Sequence, residues 1–294
     1  MKCRVCGSRA AIKLREHNLS LCEEHFLAWM RRRVASTIGK YRMFGRGSKV
    51  LVAVSGGKDS LALWDLLSGL GYSTLGLHVD LGIGEYSALS RRKTEAFAAS
   101  RGLELLVIDV RALHGESVPE RARRGSRSVC SLCGLTKRYY MNRVAYEKGM
   151  DVVATGHNLD DLTSALLSNL FRWDLEHLAK GLPYLPPSGE RVKARAKPLA
   201  LCTERQNAAY CLLSGIDYVE EECPYSEGAT FLELKGVMRM AEEISPGTKL
   251  RFYTGYVQNA HLFGRPFDEE KELCDLCGMP TYVGRCAFCR TWRG

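Results

Sequence analysis

Continuous apolar runs alternate with stretches of helical period along most of the chain. Residues 49–55 (KVLVAVS), 73–82 (STLGLHVDLG), 103–110 (LELLVIDV) and 151–156 (DVVATG) show almost no polar alternation. That is the pattern of strands covered on both faces. Between and after them, residues 58–71, 87–102, 135–149 and 159–171 carry apolar positions three and four apart and read as helices. A basic amphipathic helix is predicted over 23–44, and late helices over 203–215 and 229–244. Residues 181–198 are rich in proline and glycine, which predicts a loop or short hairpin. Strands alternating with crossover helices imply an α/β fold on a doubly wound parallel sheet.

Cysteine spacing divides the chain further. Twelve cysteines are present, and in a reducing compartment they serve as ligands or catalysts more often than as disulfides. Cys3, Cys6, Cys22 and His25 form a Cys₃His set, and Cys274, Cys277, Cys286 and Cys289 a Cys₄ set. Each pair two residues apart grips a metal from one side, and two pairs complete the tetrahedron of a structural Zn²⁺. Segments this short have too little apolar content to fold alone. The expected organisation is an N-terminal zinc finger over 1–27, a catalytic domain over 28–265 and a C-terminal zinc ribbon over 266–294. Cys202 and Cys211 lie in or near an apolar stretch and read as small buried hydrophobes.

The chain of 294 residues has no apolar run long enough to span a membrane. The opening MKCRVCGS lacks the apolar core of a secretory signal, so a cytoplasmic location is expected, with no membrane partner. The net charge of +9 points to a polyanion, most simply a nucleic acid. Arg4, Arg9, Arg31, Arg32, Arg33, Arg285, Arg290 and Arg293 lie near the cysteine sets. Singly each is an ordinary surface arginine. Together with two zinc modules they tilt the reading towards RNA.

The stretch SGGKDS (55–60) sits where a strand gives way to a helix. Two glycines let the backbone approach an anion, and the amides at the helix start point at it. Lys58 adds a cation, Ser55 and Ser60 hydroxyls. It is not a Walker A loop, because Asp59 follows the lysine and Val52 stands where the first glycine belongs. A second turn, ATGHNLDD (154–161), brings Gly156, Asp160 and Asp161 to a strand end. By residue pattern alone it also fits an ordinary loop with a helix cap at Asn158. Cys130, Cys133 and the distant Cys223 form a third thiol group, with the first two expected just before a helix. Three thiolates suit an iron–sulfur cluster with one iron free of protein ligand. A persulfide-carrying pair is the alternative, with Lys137 near enough to lower a thiol pKa.

SGGKDS resembles the PP-loop of N-type ATP pyrophosphatases, which cleave ATP between its α and β phosphates and transfer AMP to an oxygen. The resemblance implies a sheet of HUP type, with the nucleotide held by Ala53, Val54, Ser55, Gly56, Gly57, Lys58, Asp59, Ser60, His78, Val79, Gly156 and Asp161. The wider set GLHVDLGIGEYS (76–87), CSLCGLTKRY (130–139), GHNLDD, EECPYS (221–226) and the terminal cysteines is similar, in order, to the TtuA-type tRNA 2-thiouridine synthetases. It departs from them at Leu162-Thr163, where an acidic or small residue is expected. This resemblance implies ATP-driven adenylation of a uracil C2 oxygen in tRNA, at nucleotide 54 or at the wobble position 34, followed by displacement of AMP by sulfur. It implies catalytic roles for Ser55, Asp59, Lys137 and Asp161. It also implies Mg²⁺, two Zn²⁺, a 4Fe–4S cluster on Cys130, Cys133 and Cys223, a ubiquitin-like thiocarboxylate sulfur carrier and a homodimer. An amidotransferase-like ligase would need an ammonia source, and no glutaminase signature is present. A non-catalytic RNA-binding adaptor would have no need of intact Ser55, Lys58, Asp59 and Lys137.

Overall fold

The computed structural model describes residues 1–226, 230–264 and 272–293. The expected domain boundary at 265/266 and the expected helix start at 229 lie outside the described residues. The chain opens with an antiparallel pair, β1 (Ile12–Leu14) and β2 (Leu19–Leu21). Then α1 (Glu23–Lys40) buries Phe26, Met30, Val34 and Ile38, one stripe at four-residue spacing. It stops short of the expected residue 44.

The central domain runs β3 (Lys49–Ala53), α2 (Lys58–Gly69), β4 (Ser73–Asp80), α3 (Gly84–Arg101), β5 (Leu105–Asp109), α4 (Val110–His114), α5 (Val118–Arg123), α6 (Val129–Glu147), β6 (Val152–Thr155) and α7 (Leu159–Arg172). It continues with α8 (Leu175–Ala179), β7 (Tyr184–Leu185), β8 (Ala194–Ala196), α9 (Glu204–Leu213), α10 (Thr230–Ile244) and α11 (Thr248–Asn259). The C-terminal module holds β9 (Glu272–Leu273), β10 (Pro280–Thr281) and α12 (Ala287–Trp292).

Six strands form one sheet in the order β5-β4-β3-β6-β8-β7, parallel except for the antiparallel edge pair β7–β8. The expected loop or hairpin at 181–198 is thus a hairpin that widens the sheet. Both faces are covered. Val50, Val52 and Val54 pack towards α1 and α2, while Leu51, Leu77 and Val153 pack towards Val144 and Ala145 of α6. This is why the strands read as unbroken apolar runs. Gly76 in β4 makes room for Trp64, since a Cβ there would stand 2.3 Å from the indole. The fully buried indole donates to Thr74 Oγ1 at 3.1 Å.

The strand order reverses at β3 and β6, so a crevice opens at their carboxyl ends. Helix α6 begins earlier than its apolar period suggested. The Ser128 side chain accepts from the Ser131 N–H and caps the helix there. Cys130 and Cys133 therefore ride on its first turns rather than preceding it.

Candidate active site

The loop between β3 and α2 is folded by its serine and its first glycine. Ser60 Oγ donates to Gly57 O at 2.9 Å and accepts from Ser55 N at 3.1 Å. Gly56 has φ +80°, and a Cβ there would stand 2.6 Å from Ser90 O. Both conditions require glycine. Gly57 caps α2 without any side chain, so no side-chain acceptor covers the first amides of the helix. Gly156 lies against the same amides, with a Cβ position only 2.9 Å from Ser60 N. Any larger residue there would press on the loop.

Behind the loop, Asp59 joins three elements. Its Oδ1 accepts from Asn158 Nδ2 at 3.0 Å and Asn207 Nδ2 at 2.8 Å. Burial pushes this carboxyl above its ordinary range, with Lys58 and the two amides working against the shift. Lys58 Nζ meets Glu204 Oε1 at 2.6 Å and Asp59 Oδ2 at 3.3 Å. Burial disfavours the ammonium, but Asp59 and Glu204 outweigh it and push Lys58 up. Asn158 and Asp161 form a capping box at the start of α7. Asp161 also pairs with Lys235 at 2.6 Å, and Asp160 pairs with Lys249. Leu162 and Thr163 are buried, with Thr163 Oγ1 donating to Leu159 O at 2.8 Å. The Leu162-Thr163 departure therefore faces the core.

A cavity of about 410 Å³ opens beside the loop. Ala53, Val54, Ser55, His78 and Val79 line it from the strand ends, Lys137 lines it from α6, and Cys130, Cys133 and Cys223 line it as well. Sequence reasoning left undecided whether the thiols fold back over the strand ends, and here they do. Gly56, Gly57, Lys58, Asp59, Ser60, Gly156 and Asp161, also expected at the nucleotide, do not line this cavity. His78 donates through Nδ1 to Val54 O at 2.9 Å, and its buried Nε2 has no partner among the described residues. Burial lowers its pKa, with Lys137 and Arg91 adding to the effect, so the ring offers an acceptor to the cavity.

Cys130 Sγ donates to Tyr225 O at 3.2 Å. Gly56 O accepts from Val219 N at 2.9 Å, which ties the segment leading to Cys223 to the anion loop. The Cys133 thiol is pushed up, first by burial. Lys137 pulls the other way, but Cys223 and Cys130 reinforce burial. At Cys133 desolvation therefore outweighs the pull of Lys137.

The ligand atoms of each terminal set lie within 4.8 Å of one another. Cys6 and Cys22 Sγ are 3.8 Å apart, and Cys277 and Cys286 Sγ are 3.7 Å apart. Tetrahedral zinc with bonds of about 2.3 Å sets its sulfurs about 3.8 Å apart. Burial raises the Cys3 thiol, but the amides of Cys22, Cys6 and Val5 outweigh it and bring the group to about 6. Cys274 is brought to about 6 in the same way by Cys286, Leu276 and Cys277. Both sets can therefore hold a metal ion.

The C-terminal set is docked on α6. Phe288 stacks on Tyr139 at 3.5 Å, and Trp292 Nε1 donates to Thr136 Oγ1 at 3.2 Å. Among the arginines noted above, Arg33 is held by Leu201 O and lies over Trp29, so it faces inward. Cys202 and Cys211 are fully buried in the apolar core with thiols pushed up to about 12, first by burial. Sequence reasoning missed Asn207, Glu204 and Lys235. They reach the loop from distant helices, and no local motif marks them.

Residues 2–27 match the family described as 2-thiouridine synthetase TtuA, N-terminal LIM domain, and residues 29–228 match the PP-loop domain family. A tRNA-5-methyluridine(54) 2-sulfurtransferase of Thermus thermophilus is 48% identical, over 99% of this chain and 91% of its own. Its namesake from Pyrococcus horikoshii is 45% identical, over 99% and 94%. Among solved structures, the U34-tRNA thiolase NcsA from Methanococcus maripaludis with its 4Fe–4S cluster superposes with a TM-score of 0.84. It is 28% identical, and the match covers 100% of this chain and 96% of that one. With the anion loop, the strand-end cavity and the cysteine sets in place, the chain belongs to the TtuA-type tRNA 2-sulfurtransferases of the PP-loop family.

Proposed function

We propose that this enzyme replaces the C2 oxygen of the uracil at nucleotide 54 of tRNA with sulfur, using ATP. One observation carries the reading: the strand ends that suit a nucleotide and the three thiols that suit sulfur chemistry line a single cavity. Oxide cannot leave a uracil ring, whereas AMP can. ATP therefore adenylates O2, and a sulfur nucleophile displaces AMP at the same carbon.

The adenine lies against Ala53, Val54, His78 and Val79. The departing pyrophosphate takes the amides of residues 56–60, where position and dipole supply most of the catalysis. Ser55 contributes its hydroxyl. Lys137 balances charge that develops on the attacked phosphate or on O2. Asp59 acts through Lys58, holding the loop in register with α7 and α9. A Mg²⁺ bound with the phosphates would supply charge for the departing pyrophosphate. Asp161 would serve it through water, since Lys235 and the Asn158 amide engage its oxygens.

Cys130, Cys133 and Cys223 fit a cluster better than a single ion. They share a cavity but do not form a group within 4.8 Å, as the terminal sets do. Sulfurs on different irons stand farther apart than sulfurs on one tetrahedral ion. Bound there, a 4Fe–4S cluster with one iron free of cysteine supplies a position for inorganic sulfur. The two terminal sets hold structural Zn²⁺. A ubiquitin-like carrier with a C-terminal thiocarboxylate delivers the sulfur, and the enzyme works as a homodimer in the cytoplasm. No helix among the described residues is long and apolar enough to cross a membrane.

The test combines anaerobically purified protein, unmodified tRNA, ATP and sulfide, with mass spectrometry of nuclease fragments. The proposal expects one 2-thiouracil at nucleotide 54 and stoichiometric AMP. Sulfur at nucleotide 34 would reassign the target, and tRNA without sulfur or AMP would overturn the reading.

A further inference from the structure

The cavity beside the anion loop is apolar along the strand ends. Val54, Leu77, Val79, Leu81 and Ile83 line it there, and His78 stands among them. The residue is 3% exposed. Its Nδ1 lies 2.9 Å from Val54 O, which can only accept. Thr94 Oγ1 donates its own proton to Ser90 O at 2.8 Å, so it too can only accept from Nδ1, at 3.5 Å. Both neighbours therefore place the ring proton on Nδ1 and leave Nε2 as a bare acceptor. The sheet fixes this arrangement: β3 and β4 pair as far as Ala53 and Leu77, and Val54 N donates to Leu77 O at 2.9 Å.

Nε2 is buried and has no hydrogen-bond partner among the described residues. Ser87 Oγ is engaged by the Ile83 amide at 2.9 Å, and the Ser90 hydroxyl lines the same cavity without reaching the ring. An acceptor held among apolar side chains is unfavourable until a donor meets it. In the nucleotide placement proposed above, on which this inference rests, the phosphates take the loop and the base takes the apolar strand ends. Adenine carries one donor group, its N6 amine, while N1, N3 and N7 only accept.

We propose that His78 determines the nucleotide specificity of this enzyme: its Nε2 accepts from the N6 amine and selects adenine over purines that lack that donor. Hypoxanthine and guanine set a carbonyl oxygen where the amine stands, so two lone pairs would meet. A site built around one buried acceptor discriminates sharply, because the wrong base leaves that acceptor unpaired. The neutral ring is favoured as well. Burial lowers the imidazole pKa first, with Lys137 and Arg91 adding to it and Val54 O and Asp80 opposing.

The probe is purine riboside 5′-triphosphate, which is ATP without the amine. Anaerobically purified protein, tRNA and sulfide are given each nucleotide in turn, and kcat/KM is read from release of the nucleoside monophosphate. Wild type should prefer ATP by about 10–100-fold. His78→Phe, which keeps a ring and removes the acceptor, should bring that ratio close to one by slowing ATP, since the analogue has no amine contact to lose. A merely structural role would slow both nucleotides alike. His78→Gln, whose amide oxygen can accept, should recover part of the preference. His78→Phe should also slow ATP and 2′-deoxy-ATP equally. A wild-type ratio of one would overturn the assignment before any substitution is made. So would a His78→Phe ratio equal to that of wild type, equal loss on ATP and the analogue, or loss confined to discrimination against 2′-deoxy-ATP, which would make a ribose hydroxyl the donor. These outcomes leave the thiolation reading standing. Wild type that releases no AMP with tRNA would overturn that reading and this assignment together.

Discussion

Replacing Gly56 with alanine should disable the anion loop, whereas the same change at Gly57 should be tolerated. At Gly56 the φ of +80° costs an L-residue about 1–2 kcal/mol. The new Cβ would also stand 2.6 Å from Ser90 O and 3.0 Å from Ser90 Cα, both backbone atoms in the middle of α3. Ordinary contact begins at 3.4 Å, so the loop must retreat by about 0.8 Å. Overpacking of this kind adds about 1–3 kcal/mol. The total, roughly 2–5 kcal/mol, should lower Tm by on the order of 3–8 °C in a chain of this size. The retreat also pulls on Gly56 O, which anchors Val219 and through it the segment leading to Cys223. A misplacement approaching 1 Å costs on the order of 100-fold in rate. At Gly57, φ is −83° and the added Cβ meets only Ser55 Oγ at 3.7 Å. Calorimetry and tRNA-dependent pyrophosphate release on both variants provide the assay. Gly56→Ala with wild-type Tm and rate, or Gly57→Ala as damaged as Gly56→Ala, would refute the reasoning.

Phe288→Ala should cost about 3–5 kcal/mol at the C-terminal interface, because the ring is buried and stacked on Tyr139; hydrogen exchange should then rise along α6 while zinc content holds. Metal analysis should find two Zn²⁺ per chain, falling to one in Cys274→Ser. Glu204 is held below its usual range: burial raises it, but pairing with Lys58 prevails. Its stabilising contribution is therefore present above the unfolded value of about 4.3 and lost as pH falls through the lower folded value. The stability gap between wild type and Glu204→Gln in acid titration should close in that window.

The parallel sheet was legible because strands buried on both faces, such as Val50–Val52, leave an unmistakable apolar run. Both terminal cysteine sets were legible because metal-ligand spacing is a local property. The start of α6 was not, since Val129, Cys130 and Cys133 carry little helical period and the Ser128 cap is a single hydrogen bond. Helix α5 also went unread, although Ser117 and Glu120 spell a capping box with Pro119 in the first turn. Its six residues are too few to show a period. The partners of Asp59 lie 99 and 148 positions away, at Asn158 and Asn207. Only folding brings them together, so the hydrogen bonds that hold Asp59 were not legible in the sequence. The same holds for Lys235 on Asp161 and for the burial that overrides Lys137 at Cys133.

The most direct test is an anaerobic crystal structure of the iron-loaded protein with a non-hydrolysable ATP analogue, phased at the iron edge. The account predicts iron density on Cys130, Cys133 and Cys223, the adenine against Ala53 and Val79, and the α-phosphate facing the same cavity. A nucleotide seated elsewhere, or iron held by other residues, would contradict it.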